Sequence, residues 1–357
     1  MNKLTANSMM TKRSSDIYIF RKEFTDMSVT IKDVAKAAGV SVATVSRVLN
    51  NSSAVSDSTA DAVNDAINKL GYSPNFLGRN LRKCETNNIL VIIPSTEQTF
   101  YSEIIKGMQD TANPDYDILL CTSYSCLSTE MRLLEMLFSR SVDAAVLLGT
   151  KLDAAMLNDL NRRYNIALCC EQVKNANVLT VTINNEAAAY DAVCSFLKRG
   201  KRRIGLVTTG SSTDALSSAD REKGYTRALS EYGIEKDEKY IYRCSYEYKD
   251  GFDALKYFMG LDTPPEAIFC ISDLLAVGVI KQASREGIKI GTDLEICGFD
   301  NISLSEMYIP EITTVAQPGY EIGVTVISKL IENMKSDKKC SDTIILDHKL
   351  IIRDSAK

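Results

Sequence analysis

From residue 87 onward the sequence alternates between short apolar runs and amphipathic segments with helical spacing. The apolar runs have the length of strands, and the segments between them repeat their apolar residues every three or four positions. The clearest of these stretches are Ile89 to Ile93, Ile104 to Ala112, Ile118 to Cys121, Met131 to Phe138, Ala144 to Leu148, Ile166 to Cys169, Ile204 to Val207, Ala267 to Ile271 and Leu294 to Phe299. Strands joined through helices pair in parallel, with helices on both faces of the sheet. Residues 87–357 are therefore predicted to form an α/β core.

This α/β core is too long to be built around one sheet. About 270 residues exceed what a single hydrophobic core usually holds. We therefore expect two doubly wound subdomains with parallel sheets. A cleft between them would lie at the carboxyl ends of the strands, where such sheets bind ligands.

Residues 28–73 follow a different pattern, with three helical segments that are shorter than typical domain helices. Thr30 can cap the first helix, and Gly39 ends it because glycine readily adopts the left-handed conformation found at helix C-termini. Ser41 can cap the second helix, and the third ends at Gly71. The pattern predicts a compact, all-α unit of three helices, which we call the headpiece.

Two stretches beside the headpiece are not expected to fold alone. Residues 1–27 contain only a four-residue apolar run, which is too short for a secretory signal or a membrane anchor. We expect these residues to be a disordered leader, and we predict no membrane partner. Residues 74–86 include Gly78, a poor helix former, and are too few for a stable isolated helix, so they are predicted to be a linker.

The charge of the chain is unevenly distributed. Residues 28–83 carry seven Lys or Arg against four Asp or Glu, whereas residues 84–357 carry 30 against 39. The net charge of -4 therefore hides a positive N-terminal region. That excess lies in the headpiece and its linker, where contacts to DNA phosphates would need it.

The residues needed for catalysis or metal binding are scarce. The only histidine is His348, so no Ser-His-Asp or Cys-His arrangement and no histidine zinc site is available. Neither a phosphate-binding glycine loop nor a dinucleotide fingerprint occurs. Ten cysteines without a Cys-x-x-Cys pair are typical of reduced cytoplasmic thiols. We predict a cytoplasmic protein that is not an enzyme and holds no cofactor or metal.

Residues 29–50 carry the most specific motif of the chain, VTIKDVAKAAGVSVATVSRVLN, which is followed by Gly71-Tyr72-x-Pro74-Asn75. This motif closely resembles the DNA-binding headpiece of the LacI/GalR family of transcription regulators. Further landmarks of the family are Arg221-x-x-Gly224-Tyr225, Ser272-Asp273-x-x-Ala276-x-Gly278, Gly298-Phe299-Asp300 and Thr313-Thr314-Val315-x-Gln317-Pro318. The resemblance implies a helix-turn-helix headpiece followed by a periplasmic-binding-protein-like core. It also implies a repressor of carbohydrate-related genes.

The resemblance assigns base reading to the second helix of the headpiece, whose short side chains let its backbone approach the major groove. Val42, Ala43 and Arg47 fall at the base-reading positions, and a guanidinium can donate two hydrogen bonds to a guanine. An isolated arginine would more simply be a solvated surface charge, so the assignment depends on the complete motif. Phosphate contacts are implied for Thr30, Thr44, Ser46 and Asn50.

The linker has a further role by the same resemblance. In the family this segment becomes a hinge helix on DNA, and a leucine enters the minor groove. Leu81 falls at that position, with Arg79 as a phosphate contact. The alternative is an ordinary linker leucine.

The resemblance also places an effector site in the cleft of the core. The implied residues are Phe100, Tyr101, Glu171, Arg221, Tyr246, Ser272, Asp273 and Asp300. Aromatic faces, carboxylates and a guanidinium suit a polyhydroxyl ligand, such as a sugar or a sugar phosphate. Taken singly, each charged residue could equally form a structural salt bridge, and their joint occurrence favours the ligand role.

Regulation by this ligand would be allosteric, because movement of the two subdomains would change the spacing of the two hinges in a dimer. Family operators are palindromic, so we expect a homodimer on operator DNA.

Within the family, the chain looks most like the catabolite control regulators of Gram-positive bacteria, which serine-phosphorylated HPr activates. The similarity includes Gln317-Pro-x-Tyr320-x-Ile-Gly323 and implies partner contacts at Tyr320 and Glu321. The basic residues that grip the phosphoserine in that group are replaced here by Ser328 and Glu332, and a glutamate would repel the phosphate. Phosphorylated HPr therefore stands as the alternative partner.

Overall fold

A computed structural model describes residues 29–49, 55–72, 85–210, 216–336 and 339–357. The chain divides into two compact units, one up to Cys84 and one from Glu85 onward. We number the described helices α1 to α12 and the strands β1 to β12 in chain order. No helix in the described ranges is long and apolar enough to cross a membrane.

The first unit contains α1 (Ile31–Ala38), α2 (Val42–Leu49) and α3 (Asp57–Leu70). Gly39 and Gly71 end α1 and α3 with φ angles of 67° and 63°, which lie in the left-handed region. The small core of this unit is formed by Val34, Ala35, Val45, Val63 and Ala66. The three predicted helices are confirmed. The side chains of this core are short because little space lies between three short helices.

The second unit contains twelve strands in its described part. They are β1 (Asn88–Ile93), β2 (Asp117–Thr122), β3 (Ala144–Leu148), β4 (Asn165–Cys169), β5 (Leu179–Ile183), β6 (Ile204–Thr209), β7 (Ile241–Cys244), β8 (Ala267–Cys270), β9 (Glu295–Asp300), β10 (Thr313–Ala316), β11 (Thr343–Leu346) and β12 (Lys349–Ile351). Its helices are α4 (Phe100–Ala112), α5 (Leu127–Phe138), α6 (Ala154–Arg163), α7 (Asn185–Lys198), α8 (Leu216–Glu231), α9 (Asp250–Met259), α10 (Asp273–Arg285), α11 (Ser303–Met307) and α12 (Gly319–Lys335).

These strands form two six-stranded sheets, which define two lobes. The first lobe has the strand order β11-β5-β4-β3-β1-β2, and the second has β12-β10-β9-β8-β6-β7. Every neighbouring pair is parallel except β10 and β12, which are antiparallel. The predicted pair of doubly wound subdomains is confirmed, with one antiparallel edge strand that the sequence analysis did not anticipate.

The chain passes between the lobes three times. It leaves the first sheet after β5, returns after β10, and crosses again between β11 and β12. Accordingly, α7 packs on α8 in the second lobe, whereas α12 packs on α4 in the first lobe. Both lobes are therefore assembled from segments that are distant in sequence.

Candidate functional site

Helix α2 presents a continuous exposed face. Val42 is 41% exposed, and Ala43 and Arg47 are also exposed, whereas Val45 on the opposite side is fully buried. Among the described residues, Arg47 forms no ion pair. Small side chains and one extended guanidinium on a single helix face are the composition that a major groove can accept.

The hydroxyls of Thr30 and Thr44 are engaged at the beginnings of α1 and α2. The Asp33 carboxylate accepts hydrogen bonds from the Thr30 backbone N–H at 2.8 Å and from its hydroxyl at 2.6 Å. These bonds lower the pKa of Asp33, so the carboxylate stays ionised at the positive end of α1. The Thr44 backbone N–H donates to the Ser41 hydroxyl at 3.1 Å, and the two hydroxyls lie 2.9 Å apart. A phosphate contact from Thr30 would require one of its two donors to leave Asp33.

Of the other predicted DNA contacts, one lies among the described residues and three do not. Ser46 lies on α2 and is half-buried. Asn50, Arg79 and Leu81, with nearly all of the linker, fall outside the described residues. Their roles stay predictions.

A cleft in the second unit brings together six of the eight residues predicted for the effector. Phe100 and Tyr101 begin α4, with ring centroids 5.9 Å apart. The complete described lining is Pro94, Gln98, Phe100, Tyr101, Ser125, Gly149, Cys170, Glu171, Ser217, Arg221, Tyr246, Asp300 and Gln317. These residues follow strands of both sheets or begin helices, so the cleft lies where the carboxyl ends of the two parallel sheets meet.

Arg221 is buried on α8, and two of its three nitrogens donate hydrogen bonds to the protein. Its Nε donates to Asn185 Oδ1 at 2.9 Å and its Nη1 to the Ile271 carbonyl at 2.5 Å. Its Nη2 lies 3.9 Å from Asp300 Oδ1, and the guanidinium stacks 3.6 Å from the centroid of the Phe299 ring. Arg221 thus joins α8, α7 and two strand ends around the cleft as a fixed positive charge.

Asp300 ends β9 with a φ of 105°, a left-handed conformation that is unusual for a residue other than glycine. Its Oδ1 accepts a hydrogen bond from Gln317 Nε2 at 2.7 Å. Burial raises the pKa of Asp300 to about 6, although Arg221 and Gln317 oppose the shift. Backbone strain at a cleft residue of this kind is a common mark of a ligand site.

Glu171 follows β4 and is only 5% exposed. Burial is the main cause that raises its pKa to about 7, and the charge of Glu130 adds to the shift. The Thr150 backbone and Lys151 act in the opposite direction. Its Oε1 has no hydrogen-bond partner in the described structure. A buried carboxylate oxygen of this kind is ready to accept a hydrogen bond from a ligand.

Tyr246 approaches the cleft after β7. Its hydroxyl lies 2.6 Å from the Ser218 hydroxyl at the start of α8. The pair fixes the aromatic ring at the rim of the cleft, beside Phe100 and Tyr101.

Two of the predicted effector residues are not placed in this cleft. The Ser272 hydroxyl accepts a hydrogen bond from the Leu275 N–H at 3.4 Å as the cap of α10, and Ser272 lines a smaller cavity next to the cleft. Asp273 is fully buried and lines neither cavity.

The position of Asp273 has a structural explanation. Its carboxylate accepts from the Thr314 hydroxyl at 2.6 Å and from the Ile302 N–H at 2.9 Å. A Cβ on Gly298 would lie 2.1 Å from Asp273 Oδ1, so the Gly298-Phe299-Asp300 motif makes room for this acid. Asp273 thus ties α10 to the ends of β9 and β10, and its predicted contact with the effector stays a prediction.

Gln317 is the main cleft residue that the sequence analysis missed. It is buried, its Nε2 holds Asp300, and its Oε1 has no partner in the described structure. Gln317 belongs to the Thr313 to Pro318 landmark of the family, and this motif is the sequence feature that could have indicated a role for it in the cleft.

A larger cavity lies along α8, with an empty volume of about 1290 Å³ against about 660 Å³ for the cleft. Its charged lining is mutually paired, with Glu222 bound to Lys236 at 2.9 Å and to Arg243 at 2.7 Å. It also adjoins residues 211–215, which are outside the description. The larger cavity contains one buried oxygen without a partner in the described structure, Thr209 Oγ1, whereas the cleft contains two. The smaller cleft is therefore the candidate effector site.

The surface predicted for the phosphoprotein is formed by α4 and α12. The Tyr320 hydroxyl donates to Asp110 Oδ2 at 3.3 Å, and Glu321 is exposed beside it. Further along α12, Lys329 pairs with Glu332 at 2.8 Å. Lys106 Nζ also lies 6.0 Å from the centroid of the Tyr320 ring, so both signs of charge occur beside this residue.

Comparison with known proteins agrees with this architecture. The sequence profile for bacterial regulatory proteins of the lacI family matches residues 30–75, and the profile for the periplasmic binding protein-like domain matches residues 193–356. The HTH-type transcriptional repressor CytR of Escherichia coli strain K12 is 36% identical over 334 residues, which cover 93% of this chain and 97% of CytR. Catabolite control protein A of Priestia megaterium is 36% identical over 333 residues, which cover 93% of this chain and all of that protein.

Among solved structures, the complex of the transcriptional regulator CelR with cellobiose matches with a TM-score of 0.70 and 26% identity, over 92% of this chain and 100% of that one. The helix-turn-helix unit and the two-lobed core define a DNA-binding transcription regulator with an effector-binding core. The chain belongs to the LacI family of bacterial regulatory proteins. Its relatives are regulators rather than enzymes.

Proposed function

We propose that this protein represses transcription as a homodimer on a two-fold symmetric operator, and that a polyhydroxyl effector in the cleft changes its affinity for that operator. The observation that carries the DNA-binding part is the exposed face of α2. Val42 and Ala43 contact thymine methyl groups, Arg47 donates to a guanine, and Thr44 and Ser46 hold phosphates. In this proposal the headpiece spans residues 28–73, the linker residues 74–86 and the core residues 87–357.

The effector part of the proposal is supported by the cleft. Phe100, Tyr101 and Tyr246 supply aromatic surfaces, while Glu171 and Asp300 supply acceptors for hydroxyl groups. The related CelR structure contains a disaccharide. Closure of two lobes around a ligand changes the spacing of the linkers in a dimer, with a coupling of about 1–3 kcal/mol between sites that is typical of allosteric proteins.

Activation by serine-phosphorylated HPr is the alternative, and the charges around Tyr320 are mixed. Asp110 accepts from the Tyr320 hydroxyl and Glu321 is exposed, whereas Lys106 Nζ lies 6.0 Å from the centroid of the Tyr320 ring. Ser328 and Glu332 stand where the catabolite control regulators have basic residues, and a glutamate repels a phosphate. Adding phosphorylated and unphosphorylated HPr to the operator assay tests this alternative directly. Tighter operator binding with only the phosphorylated form would favour it.

The DNA-binding part is tested by Arg47→Ala on a duplex selected from a library of two-fold symmetric sequences. The preference of the variant for the operator over random DNA is expected to fall by about 1–3 kcal/mol, because one bidentate base contact is lost. Its weak, salt-dependent binding to random DNA should persist, since phosphate contacts supply that affinity. Fluorescence anisotropy at several salt concentrations measures both quantities.

Lys69→Ala is the matched control, because Lys69 is an exposed cation on α3 rather than α2. This variant should keep the operator preference. An unchanged preference in Arg47→Ala would remove the assignment of base reading to Arg47.

A further inference from the structure

The cleft offers buried acceptors that lack donors. Glu171 Oε1 and Gln317 Oε1 are both buried without a hydrogen-bond partner in the described structure. The amide orientation of Gln317 is fixed, because its Nε2 donates to Asp300 Oδ1 at 2.7 Å. Buried acceptors left without a partner cost free energy, which a ligand can recover by donating to them. A ligand that satisfies both atoms would carry at least two hydrogen-bond donors.

The described lining of the cleft contains one cation. Arg221 is the only Lys or Arg among those lining residues. Its Nε and Nη1 donate to Asn185 and the Ile271 carbonyl, and its Nη2 lies 3.9 Å from Asp300 Oδ1, so its charge is paired with that of Asp300. Against this one positive charge stand the carboxyl groups of Glu171 and Asp300. The negative charge of Glu130 raises the pKa of Glu171 and the positive charge of Lys151 lowers it, so these two neighbouring charges oppose each other.

We infer that the cleft selects an uncharged, hydroxyl-rich ligand and discriminates against the phosphate ester of that ligand. This inference rests on the proposed function and narrows its effector class. A phosphate group carries close to two negative charges and needs several donors. In this cleft it would meet two carboxyl groups and one guanidinium that is already paired with Asp300, whereas neutral hydroxyls would donate to Glu171 and Gln317.

The same contact makes binding depend on pH. Burial raises the pKa of Glu171 to about 7, so part of the free protein carries a proton there near neutrality. A ligand hydroxyl that donates to Oε1 favours the ionised carboxylate and lowers this pKa. Binding therefore releases a proton, and affinity should rise as the pH increases from about 6 to about 8. Asp300, with its pKa raised to about 6, would contribute in the same direction at lower pH.

The test is a ligand titration of the full chain by isothermal calorimetry and thermal shift. The probes are glucose, ribose, cellobiose and adenosine, each beside its monophosphate ester. At least one neutral probe is expected to bind, and its ester should bind at least about tenfold more weakly because of charge repulsion. Titration in two buffers of different ionisation enthalpy should show proton release on binding.

The variant Glu171→Gln removes the charge and keeps the size of the side chain. It should lose the part of the pH dependence that lies near the pKa of Glu171, at about pH 7, and much of the discrimination against the ester. The control Glu135→Gln changes an exposed residue of α5 and should alter neither. If Glu171→Gln keeps the full pH dependence and discrimination, the inference is wrong.

The remaining outcomes separate this inference from the proposed function. An ester that binds as tightly as its neutral parent, or more tightly, overturns the inference and leaves an effector-controlled regulator in place. Failure of both series at millimolar concentration overturns the inference and the polyhydroxyl effector together. Operator binding, measured in parallel, reports on the DNA-binding part independently.

Discussion

Glu171 and Glu222 show how the surroundings of a single carboxyl group decide its effect on stability. Glu222 is paired with Arg243 and Lys236, and these partners lower its pKa to about 2. It therefore stabilises the fold above its ordinary pKa of 4.5, and that contribution disappears as the pH falls towards 2. Glu171 has a raised pKa, so the sign is reversed. The folded state is favoured when Glu171 is protonated, and stability falls as the pH rises from 4.5 to about 7.

This sign leads to a prediction for the ligand-free protein. Glu171→Gln should raise the free energy of unfolding at about pH 8 by up to about 3 kcal/mol, since each unit of pKa corresponds to about 1.4 kcal/mol. The gain should be much smaller at about pH 5, where the native carboxyl group is protonated. Urea unfolding at the two pH values measures the difference. Equal gains at both would show that burial of the charge is not the cause, and Glu135→Gln serves as the exposed control.

At the residue scale, six of the eight side chains predicted for the effector line the cleft, whereas Ser272 and Asp273 do not. Asp273 and Asp300 are both acids next to a strand end, and both belong to family landmarks. Only the fold distinguishes them, because Asp273 is satisfied by Thr314 and Ile302, which are 41 and 29 residues away. Gln317 was missed for the same reason, since its partner Asp300 comes from a different strand.

At the scale of elements, three helix pairs of the core approach one another through glycine. A Cβ on Gly323 of α12 would lie 2.0 Å from the Ile104 carbonyl oxygen of α4. The same holds for Gly224 of α8, at 2.1 Å from the Glu186 carbonyl, and for Gly251 of α9, at 2.4 Å from the Leu275 carbonyl. At these points the paired helices therefore lie closer together than any residue with a Cβ would allow.

Gly224→Ala should consequently destabilise the core by roughly 1–3 kcal/mol, the usual cost of overpacking. The added methyl group must push α8 away from α7, which carries Asn185, a partner of Arg221. Thermal unfolding measures the effect. Gly260→Ala is the control, because a Cβ there meets its nearest atom at 3.4 Å, an ordinary contact. Equal midpoints for the two variants would contradict the close approach of α7 and α8.

The sequence pattern predicted elements that are continuously apolar and missed those that are not. Strands β1, β3 and β4 are buried apolar runs, and they were predicted within a few residues. Strand β5 is equally buried, but Thr180 and Thr182 interrupt its pattern and satisfy their hydroxyls on backbone carbonyls. The edge strand β12 has three residues and a half-exposed surface, so no local signal marks it.

At the scale of the whole molecule, the proposed homodimer needs an apolar contact surface, and the second unit exposes one. Leu304 and Met307 lie on α11 and are 37% and 76% exposed, and Ile309, two residues after the helix, is 90% exposed. Exposed apolar clusters of this kind commonly mark protein interfaces. The positive excess of the N-terminal region and the acidic balance of the rest also suit a protein whose two headpieces alone approach DNA.

Ile309→Asp is expected to weaken self-association by at least about tenfold, because a charge would be buried in an apolar interface. Sedimentation velocity over a concentration series measures the change, and operator affinity should fall with it. Met156→Asp, at an exposed position on α6, should leave the association constant unchanged. A dimer of unaltered strength in Ile309→Asp would place the interface elsewhere.

The three passages of the chain between the lobes have a genetic consequence. Strands β11 and β12 are edge strands of different sheets, although only two residues separate them. A stop codon just before Thr343 would therefore remove β11 from the first sheet and β12 from the second, so that neither lobe would be complete. We expect nonsense alleles at codon 343 to be as severe as those in the middle of the gene, and the shortened product to be a substrate for proteases instead of a partly active regulator.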